Sequence, residues 1–142
     1  MRRMRTPVLR RRRLLAICAA LAAPFVRADT PPPERRWHDA AEAMRRLALS
    51  RGDQPYGAVV VQGGRIVGEG PSRVVQRNDP DAHAEREAMR DARERFGAQV
   101  LHGAVLYSTS RPCARCEAVA ARAGIARMIH GAGLVDAGAP VQ

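Results

Sequence analysis

The sequence predicts an α/β domain of three layers, α-β-α, in which helices return the chain across one sheet. Stretches in which apolar residues recur at helical spacing alternate with short β-branched runs, and their order is α-β-β-α-β-α-β. Residues 29–142 number 114, which is enough for one compact domain with a single core. These observations predict the fold class before any motif is considered.

The first half of this domain is predicted to contain one helix and one hairpin. The helix covers 34–50, because the apolar residues between Trp37 and Ala48 recur at helical spacing. Strands at 56–62 and 65–69 lie on either side of Gly63-Gly64, a pair that is typical of a tight β-hairpin turn.

The second half is predicted to contain two helices and two strands. After a loop at 72–78, Asp79-Pro80-Asp81 provides an N-cap candidate for a helix that Gly97 closes. A third strand is expected within 100–109. The last helix has Pro112 in its first turn, where the missing N–H does no harm, and a fourth strand follows at 127–130.

The first 28 residues predict an export signal. Seven arginines and no acid lie in residues 1–13, and an uncharged apolar run covers 14–25. Ala28 then offers a small residue before a cleavage site at Asp29. The apolar run is shorter than the ~20 residues that cross a bilayer, so a signal is favoured over a membrane span.

The arginines of this signal resemble those of twin-arginine signals. We therefore expect an exported, periplasmic protein that has no membrane contact after cleavage, with a linker at 29–33 and the folded domain at 34–142. A basic arm on an N-terminal helix and a lipoprotein site at Cys18 are the alternatives.

The basic composition of the chain belongs mostly to the predicted signal. All 24 basic residues are arginines, against 14 acids; eight arginines and no acid lie in residues 1–28, so 16 arginines and 14 acids remain, a net charge of +2. These remaining charges are interleaved, as on solvated helix faces. Nucleic acid is therefore not the expected partner.

Two short motifs contain residues that could hold a metal ion. His83-Ala84-Glu85 and Pro112-Cys113-Ala114-Arg115-Cys116 each lie at the start of a predicted helix. Residues three apart on a helix share a face, so Cys113 and Cys116 can reach one ion together with His83. Three protein ligands and a fourth position open to water are typical of catalytic zinc, and Glu85 is left over as a general base.

A Cys-x-x-Cys pair is also typical of a redox-active disulfide, but that interpretation leaves His83 and Glu85 without a role. Cys18 leaves with the predicted signal, so the mature part has no further cysteine for a structural disulfide. The joint pattern favours zinc. Three other histidines have no ligand spacing and are expected to be structural: His38, His102 and His130.

The joint pattern resembles the H-x-E…P-C-x-x-C signature of the zinc-dependent nucleobase deaminases. Over residues 35–137 the chain is similar to the cytidine and deoxycytidylate deaminase superfamily, and within it to the branch of guanine deaminases and tRNA adenosine deaminases. Besides the metal motifs, the resemblance rests on three stretches: Pro55-Tyr56-Gly57-Ala58-Val59-Val60-Val61, Asn78-Asp79-Pro80 and Ala123-Gly124-Ile125-Ala126-Arg127.

The resemblance implies a cytidine deaminase-like fold, a five-stranded sheet flanked by helices, with Zn²⁺ held between two helix starts. It makes His83, Cys113 and Cys116 the zinc ligands and Glu85 the proton shuttle. The backbone N–H groups around Ala84 and Cys113 would help to position the substrate. The family is usually dimeric, which implies a homodimer.

The chain also departs from the family pattern. Ser72 stands where relatives commonly have a substrate-binding Asn, and we expect it to be a shorter substrate contact. Asp136 is a candidate acceptor near the chain end, with an exposed tail carboxylate as the equal alternative. Ala121-Arg122 replaces an aromatic pair, and the shortened C-terminus predicts that the fifth strand and final helices are missing or reduced.

We therefore expect a zinc-dependent hydrolytic deaminase whose partner is a small-molecule nucleobase or nucleoside, of the guanine type. Export argues against tRNA, because folded tRNA is not expected outside the cytoplasm. The alternatives are a zinc-binding pseudoenzyme of the same fold, a deaminase of tRNA adenosine or of cytosine or cytidine, and a redox protein.

Overall fold

The computed structural model describes residues 33–142. The predicted signal at 1–28 and residues 29–32 of the predicted linker lie outside the described residues. The first helix begins at Pro33, which the sequence assigns to the linker. Within the described range, no helix combines the length and the apolar character that a membrane span needs.

Five strands form one mixed sheet in the order β2-β1-β3-β4-β5. β3 and β4 are parallel, and the other neighbouring pairs are antiparallel. The strands are β1 (Gly57–Gln62), β2 (Arg65–Pro71), β3 (Val105–Ser108), β4 (Arg127–His130) and β5 (Val135–Gly138).

Helices cover both faces of this sheet, which confirms the predicted α-β-α layers. The helices are α1 (Pro33–Ser50), α2 (Val74–Arg77), α3 (Ala84–Phe96) and α4 (Ala114–Ala123), with a 3-10 turn at Ala98–Leu101. The residues between α1 and the sheet include Trp37, Ala40, Met44, Val59, Val61, Tyr107 and Ile129. The residues on the opposite face, under α3 and α4, include Val60, Ala88, Met89, Leu106, Ala120 and Met128.

β5 corrects the expectation that the fifth strand is missing or reduced. It pairs antiparallel with β4, with Asp136 opposite Ile129 and Val135 opposite His130. Three of its four residues are exposed, so the strand lacks the alternation of apolar and polar residues that reveals a half-buried strand in a sequence.

The helix predicted to start at Asp79-Pro80-Asp81 starts at Ala84 instead. The Asp79 carboxylate accepts a hydrogen bond from the Asp81 N–H at 2.9 Å, and the Asp79 carbonyl accepts one from the Ala82 N–H at 3.0 Å. Aspartate suits such a turn as well as a helix cap, so the cap prediction was wrong. The predicted loop at 72–78 also contains the short helix α2.

Two glycines of β2 let α3 approach the sheet closely. A Cβ atom at Gly70 would lie 2.1 Å from the Ala84 carbonyl oxygen, and one at Gly68 would lie 2.2 Å from the Ala88 carbonyl oxygen. Side chains at these positions would push the helix away from the sheet. The glycines therefore set the position of the start of α3, where His83 and Glu85 lie.

Candidate functional site

His83, Cys113 and Cys116 come together in the folded chain. Their potential ligand atoms all lie within 4.8 Å of one another. His83 Nδ1 is 3.6 Å from Cys113 Sγ and 3.4 Å from Cys116 Sγ. Tetrahedral zinc with ordinary Zn–N and Zn–S bond lengths separates a nitrogen and a sulfur ligand by about 3.6 Å. The spacing therefore fits a zinc ion.

The sheet topology brings these side chains to one edge. β2 and β3 are both antiparallel to β1, so they run in the same direction and end at the same edge of the sheet. α3 follows β2, and α4 follows β3. His83 is the N-cap residue of α3, Cys113 is the N-cap residue of α4, and Cys116 lies in the first turn of α4.

The protonation state of Cys116 helps to decide whether the site suits a metal ion or a redox-active disulfide. Burial raises the pKa of the Cys116 thiol, and the Glu85 charge and the Cys113 thiol raise it further. A buried thiol of raised pKa is a poor redox nucleophile, whereas coordination to a cation deprotonates it. One imidazole and two thiols are a donor set that zinc prefers, so the residues present fit zinc better than a redox pair.

Glu85 is buried beside these ligands, with 5% of its surface exposed. Burial raises the pKa of the Glu85 carboxyl, and its own backbone N–H, His83 and Cys116 oppose this effect without cancelling it. A carboxyl with a raised pKa can hold and release a proton closer to neutral pH than an ordinary glutamate.

A cavity of about 420 Å³ opens onto the candidate ligands. Its volume falls within the ~300–1,000 Å³ typical of small-molecule sites. The lining contains the Tyr56 ring, the Gln54 amide, the Ser110 hydroxyl, the Arg111 guanidinium and the buried Glu85 carboxyl. His83, Ala84 and Cys113 complete it.

Four of these lining residues were not predicted to lie at the site: Gln54, Tyr56, Ser110 and Arg111. They lie just before β1 and just after β3. Because the Gly57 carbonyl accepts a hydrogen bond from the Thr109 N–H, the start of β1 and the end of β3 are neighbours. The antiparallel pairing of these two strands is the signal that could have identified them.

Two predicted substrate contacts are absent from the lining of this cavity. The Ser72 hydroxyl is buried and donates a hydrogen bond to Asp53 Oδ1 at 2.9 Å. Asp136 lies on β5 and pairs with Arg127. Ala84, the third predicted contact, lines the cavity.

Asp53 is the centre of a hydrogen-bond network next to the cavity wall. Its Oδ1 accepts from the Gln54 N–H and from Ser72, and its Oδ2 accepts from the Gln76 N–H at 2.9 Å. Burial alone would raise the pKa of the Asp53 carboxyl, but these hydrogen bonds outweigh it and the pKa is lowered. The network joins the segment that contains Gln54 to the end of β2 and to α2.

A larger cavity, of about 580 Å³, lies between α3 and α4. Its lining includes Arg86, Met89, Arg93 and Val119 but none of the candidate ligands. Volume therefore does not identify the functional site; the convergence of ligand atoms and a buried acid does.

Residues 33–137 match the family of MafB19-like deaminases. The chain is similar to a tRNA-specific adenosine deaminase of Agrobacterium fabrum, with 41% identity over 87 residues, 61% of this chain and 57% of the relative. It is also similar to the guanine deaminase of Bacillus subtilis, with 45% identity over 62 residues, 44% of this chain and 40% of the relative. The chain thus spans about half the length of these curated relatives.

Solved structures show the same similarity. A tRNA:A34 deaminase of A-to-I editing superposes with a TM-score of 0.66 at 35% identity, over 70% of this chain and 76% of that chain. The guanine deaminase of Bacillus subtilis superposes with a TM-score of 0.64 at 33% identity, over 68% of this chain and 62% of that chain. These comparisons confirm the resemblance to the guanine deaminase and tRNA adenosine deaminase branch.

Proposed function

The chain belongs to the family of MafB19-like deaminases, and we propose that it is a zinc-dependent hydrolase that releases ammonia from a free nucleobase or nucleoside, guanine-type substrates first among them. The relatives include a guanine deaminase, which supports this choice of substrate.

One observation carries the proposal: a buried carboxyl shares a cavity with the candidate metal ligands. Glu85 lines the cavity together with His83 and Cys113. A zinc site that only stabilises a fold is closed by four protein ligands and needs no acid beside it. The arrangement thus favours an enzyme over a zinc-binding pseudoenzyme of the same fold.

In this proposal His83, Cys113 and Cys116 hold the zinc ion, whose chemical contribution when bound is to make water nucleophilic near neutral pH. Glu85 takes a proton from the water that attacks the carbon bearing the amino group, and passes it to the neighbouring ring nitrogen. It then transfers the second proton of that water to the amino group, which leaves as ammonia while a carbonyl remains on the ring.

We assign recognition of the base to the part of the cavity lining that precedes β1. The Tyr56 ring is 43% exposed and can stack on a base, and the Gln54 amide can donate to and accept from a base edge. The backbone N–H groups of Ala84 and Cys113 are further candidate donors. Ser72 is a weaker candidate, because its hydroxyl already donates to Asp53.

A tRNA substrate is the second candidate, since one relative is a tRNA-specific adenosine deaminase. Binding of folded RNA needs several cations that are free to contact phosphates. Eight of the 16 arginines in residues 33–142 pair with carboxylates instead. Half of these arginines are thus engaged by acids, and residues 29–142 have a net charge of only +2, which together favour the small-molecule substrate.

We also propose that the protein is exported to the periplasm. A twin-arginine signal would let the protein bind zinc and fold before export, which would protect Cys113 and Cys116 from oxidation in an oxidising compartment. The homodimer stays a prediction from the resemblance.

Ammonia release by the zinc-loaded protein tests the proposal, with guanine, adenine, cytosine and their nucleosides as the panel. We expect release from at least one substrate, and a loss of about 10²- to 10⁴-fold in Glu85→Gln. Glu94→Gln is the matched control, because Glu94 is exposed on the same helix and lies outside this cavity. Removal of zinc by a chelator should abolish release, and added zinc should restore it.

Two outcomes would contradict the proposal. Zinc binding without ammonia release from any member of the panel, or from the corresponding nucleoside monophosphates, would favour the pseudoenzyme. Formation of inosine in transcribed tRNA, without release from the panel, would establish the second candidate instead.

A further inference from the structure

We propose that Arg111 forms a subsite for a phosphomonoester at the mouth of the candidate cavity, so that the preferred substrate is a nucleoside monophosphate rather than a free base or nucleoside. This inference rests on the proposed function, because it keeps the same deamination at the same site and adds a phosphate group to the nucleoside that the site would take.

The charges around the cavity support this subsite. Arg111 and Glu85 are the arginine and the acid on its lining, and Arg111 is exposed whereas Glu85 is buried. Within residues 33–142, Arg111 forms no ion pair, in contrast to Arg115 on the next turn, which pairs with Asp81. The cavity mouth therefore has one positive charge that no carboxylate of the described chain neutralises.

The segment that contains Arg111 is held firmly on the sheet. The Ser108 hydroxyl donates to the Ser110 carbonyl at 2.6 Å, and Thr109 exchanges hydrogen bonds with Gly57 at 3.0 Å and 3.2 Å. Pro112, on the other side, is buried. Because the backbone is fixed on both sides, Arg111 is kept at the cavity mouth.

Nucleobases and nucleosides of the proposed substrate class are uncharged near neutral pH, so a guanidinium at the mouth can donate hydrogen bonds to them but cannot form an ion pair with them. A phosphate ester supplies that partner, since its oxygens match the planar fork of guanidinium donors. With the base between Tyr56 and Glu85, the phosphate would extend towards the exposed mouth, where Arg111 lies.

A single nucleotide fits these observations better than a nucleic-acid strand. Proteins that bind a strand combine a positively charged groove with several aromatic stacking residues. The lining of this cavity has one arginine and one aromatic ring, Arg111 and Tyr56. We therefore propose a nucleoside monophosphate.

Binding to the zinc-loaded Glu85→Gln protein tests this proposal without turnover. Calorimetry would compare guanosine, adenosine and cytidine with their monophosphates. We expect at least one monophosphate to bind about 10- to 100-fold more tightly than its nucleoside, as for a hydrogen bond between charged groups. Addition of Arg111→Gln should abolish this ratio, and Arg111→Lys should keep part of it.

Arg122→Gln is the matched control, because Arg122 is exposed on α4 and does not line this cavity. It should leave the ratio and the ammonia release unchanged. Zinc content and thermal melting would show that each variant is folded.

Equal affinity for nucleoside and monophosphate would overturn the subsite, and so would a monophosphate preference that survives Arg111→Gln. A single-stranded oligonucleotide that binds through Arg111 more tightly than any monophosphate would also overturn it. Arg111-dependent binding of a monophosphate without ammonia release by the wild-type protein would contradict the proposed function alone. Ammonia release from a nucleoside, without any monophosphate preference, would contradict the subsite alone.

Discussion

Glu85 and Asp53 have almost the same surface exposure, 5% and 6%. Their surroundings nevertheless shift the pKa values of the two carboxyls in opposite directions. Burial raises the pKa of each carboxyl. For Glu85 this effect prevails over its own N–H, His83 and Cys116, so the pKa is raised. For Asp53 the hydrogen bonds from Gln76, Gln54 and Ser72 prevail, so the pKa is lowered.

The difference shows how hydrogen-bond donors keep a carboxylate of low exposure in its charged form at Asp53, whereas desolvation prevails at Glu85. Asp53 accepts three hydrogen bonds from three segments and so holds the wall that contains Gln54 in place. Glu85 has few partners and faces the cavity. Substitutions of the two residues should therefore affect different properties.

The largest expected effect is on catalysis by Glu85. Glu85→Gln should reduce ammonia release by about 10²- to 10⁴-fold and leave the free energy of unfolding no lower than wild type, because a neutral amide costs less to bury than a carboxylate. Chemical denaturation of the zinc-loaded proteins at neutral pH measures the second quantity. A marked loss of stability would make Glu85 a structural residue like Asp53.

Asp53→Asn should have the reverse effect. The new NH₂ group cannot accept the hydrogen bonds that one carboxylate oxygen accepts, and the unfolding free energy should fall by about 1–3 kcal/mol. The loss of ammonia release should be smaller than in Glu85→Gln. Asp136→Asn is the control, since its exposed ion pair with Arg127 is screened by solvent. Unchanged stability in Asp53→Asn would remove the contrast between the two carboxylates.

Ser72→Ala should have a smaller effect, a loss of about 0.5–1.5 kcal/mol in unfolding free energy. The substitution removes one of the donors to Asp53. KM should not change, because Ser72 does not line the cavity. Ser50→Ala, which removes an exposed hydroxyl, is the control. A higher KM with unchanged stability would instead support the predicted role of Ser72 as a substrate contact.

The smallest expected effect is a change in the pH dependence of stability. The pKa of Asp53 is lowered from an ordinary value of 3.8, so its carboxylate stabilises the folded state above about pH 4. This contribution is lost as the pH falls through the lowered folded-state pKa. The difference in unfolding free energy between wild type and Asp53→Asn should therefore shrink in acid, as denaturation at a series of pH values would show. A difference that stays constant would indicate that the Asp53 charge does not contribute.

Local sequence signals predicted most of the fold and the chemistry of the site. Apolar spacing predicted α1, the Gly-Gly pair between two strand-like runs predicted the hairpin, and a proline near its start predicted α4, because each signal depends on residues that are close in the chain. The motif spacing also predicted the residues that the structure brings together, His83, Cys113 and Cys116, since each motif lies at one helix start. The exposed strand β5 and the turn at Asp79 lacked a distinctive local pattern.

The sequence by itself determined the order of the helices and strands apart from α2 and β5, and the identity of the nitrogen, sulfur and carboxyl groups at the two helix starts. Tertiary structure decided which residues line the cavity, that Ser72 donates to Asp53, and that Arg111 is left without an acidic partner in the described chain. The physical reason is the distance along the chain over which each kind of interaction acts. Periodicity and capping act between residues a few positions apart, whereas burial and hydrogen bonds between distant segments exist only once the chain has folded.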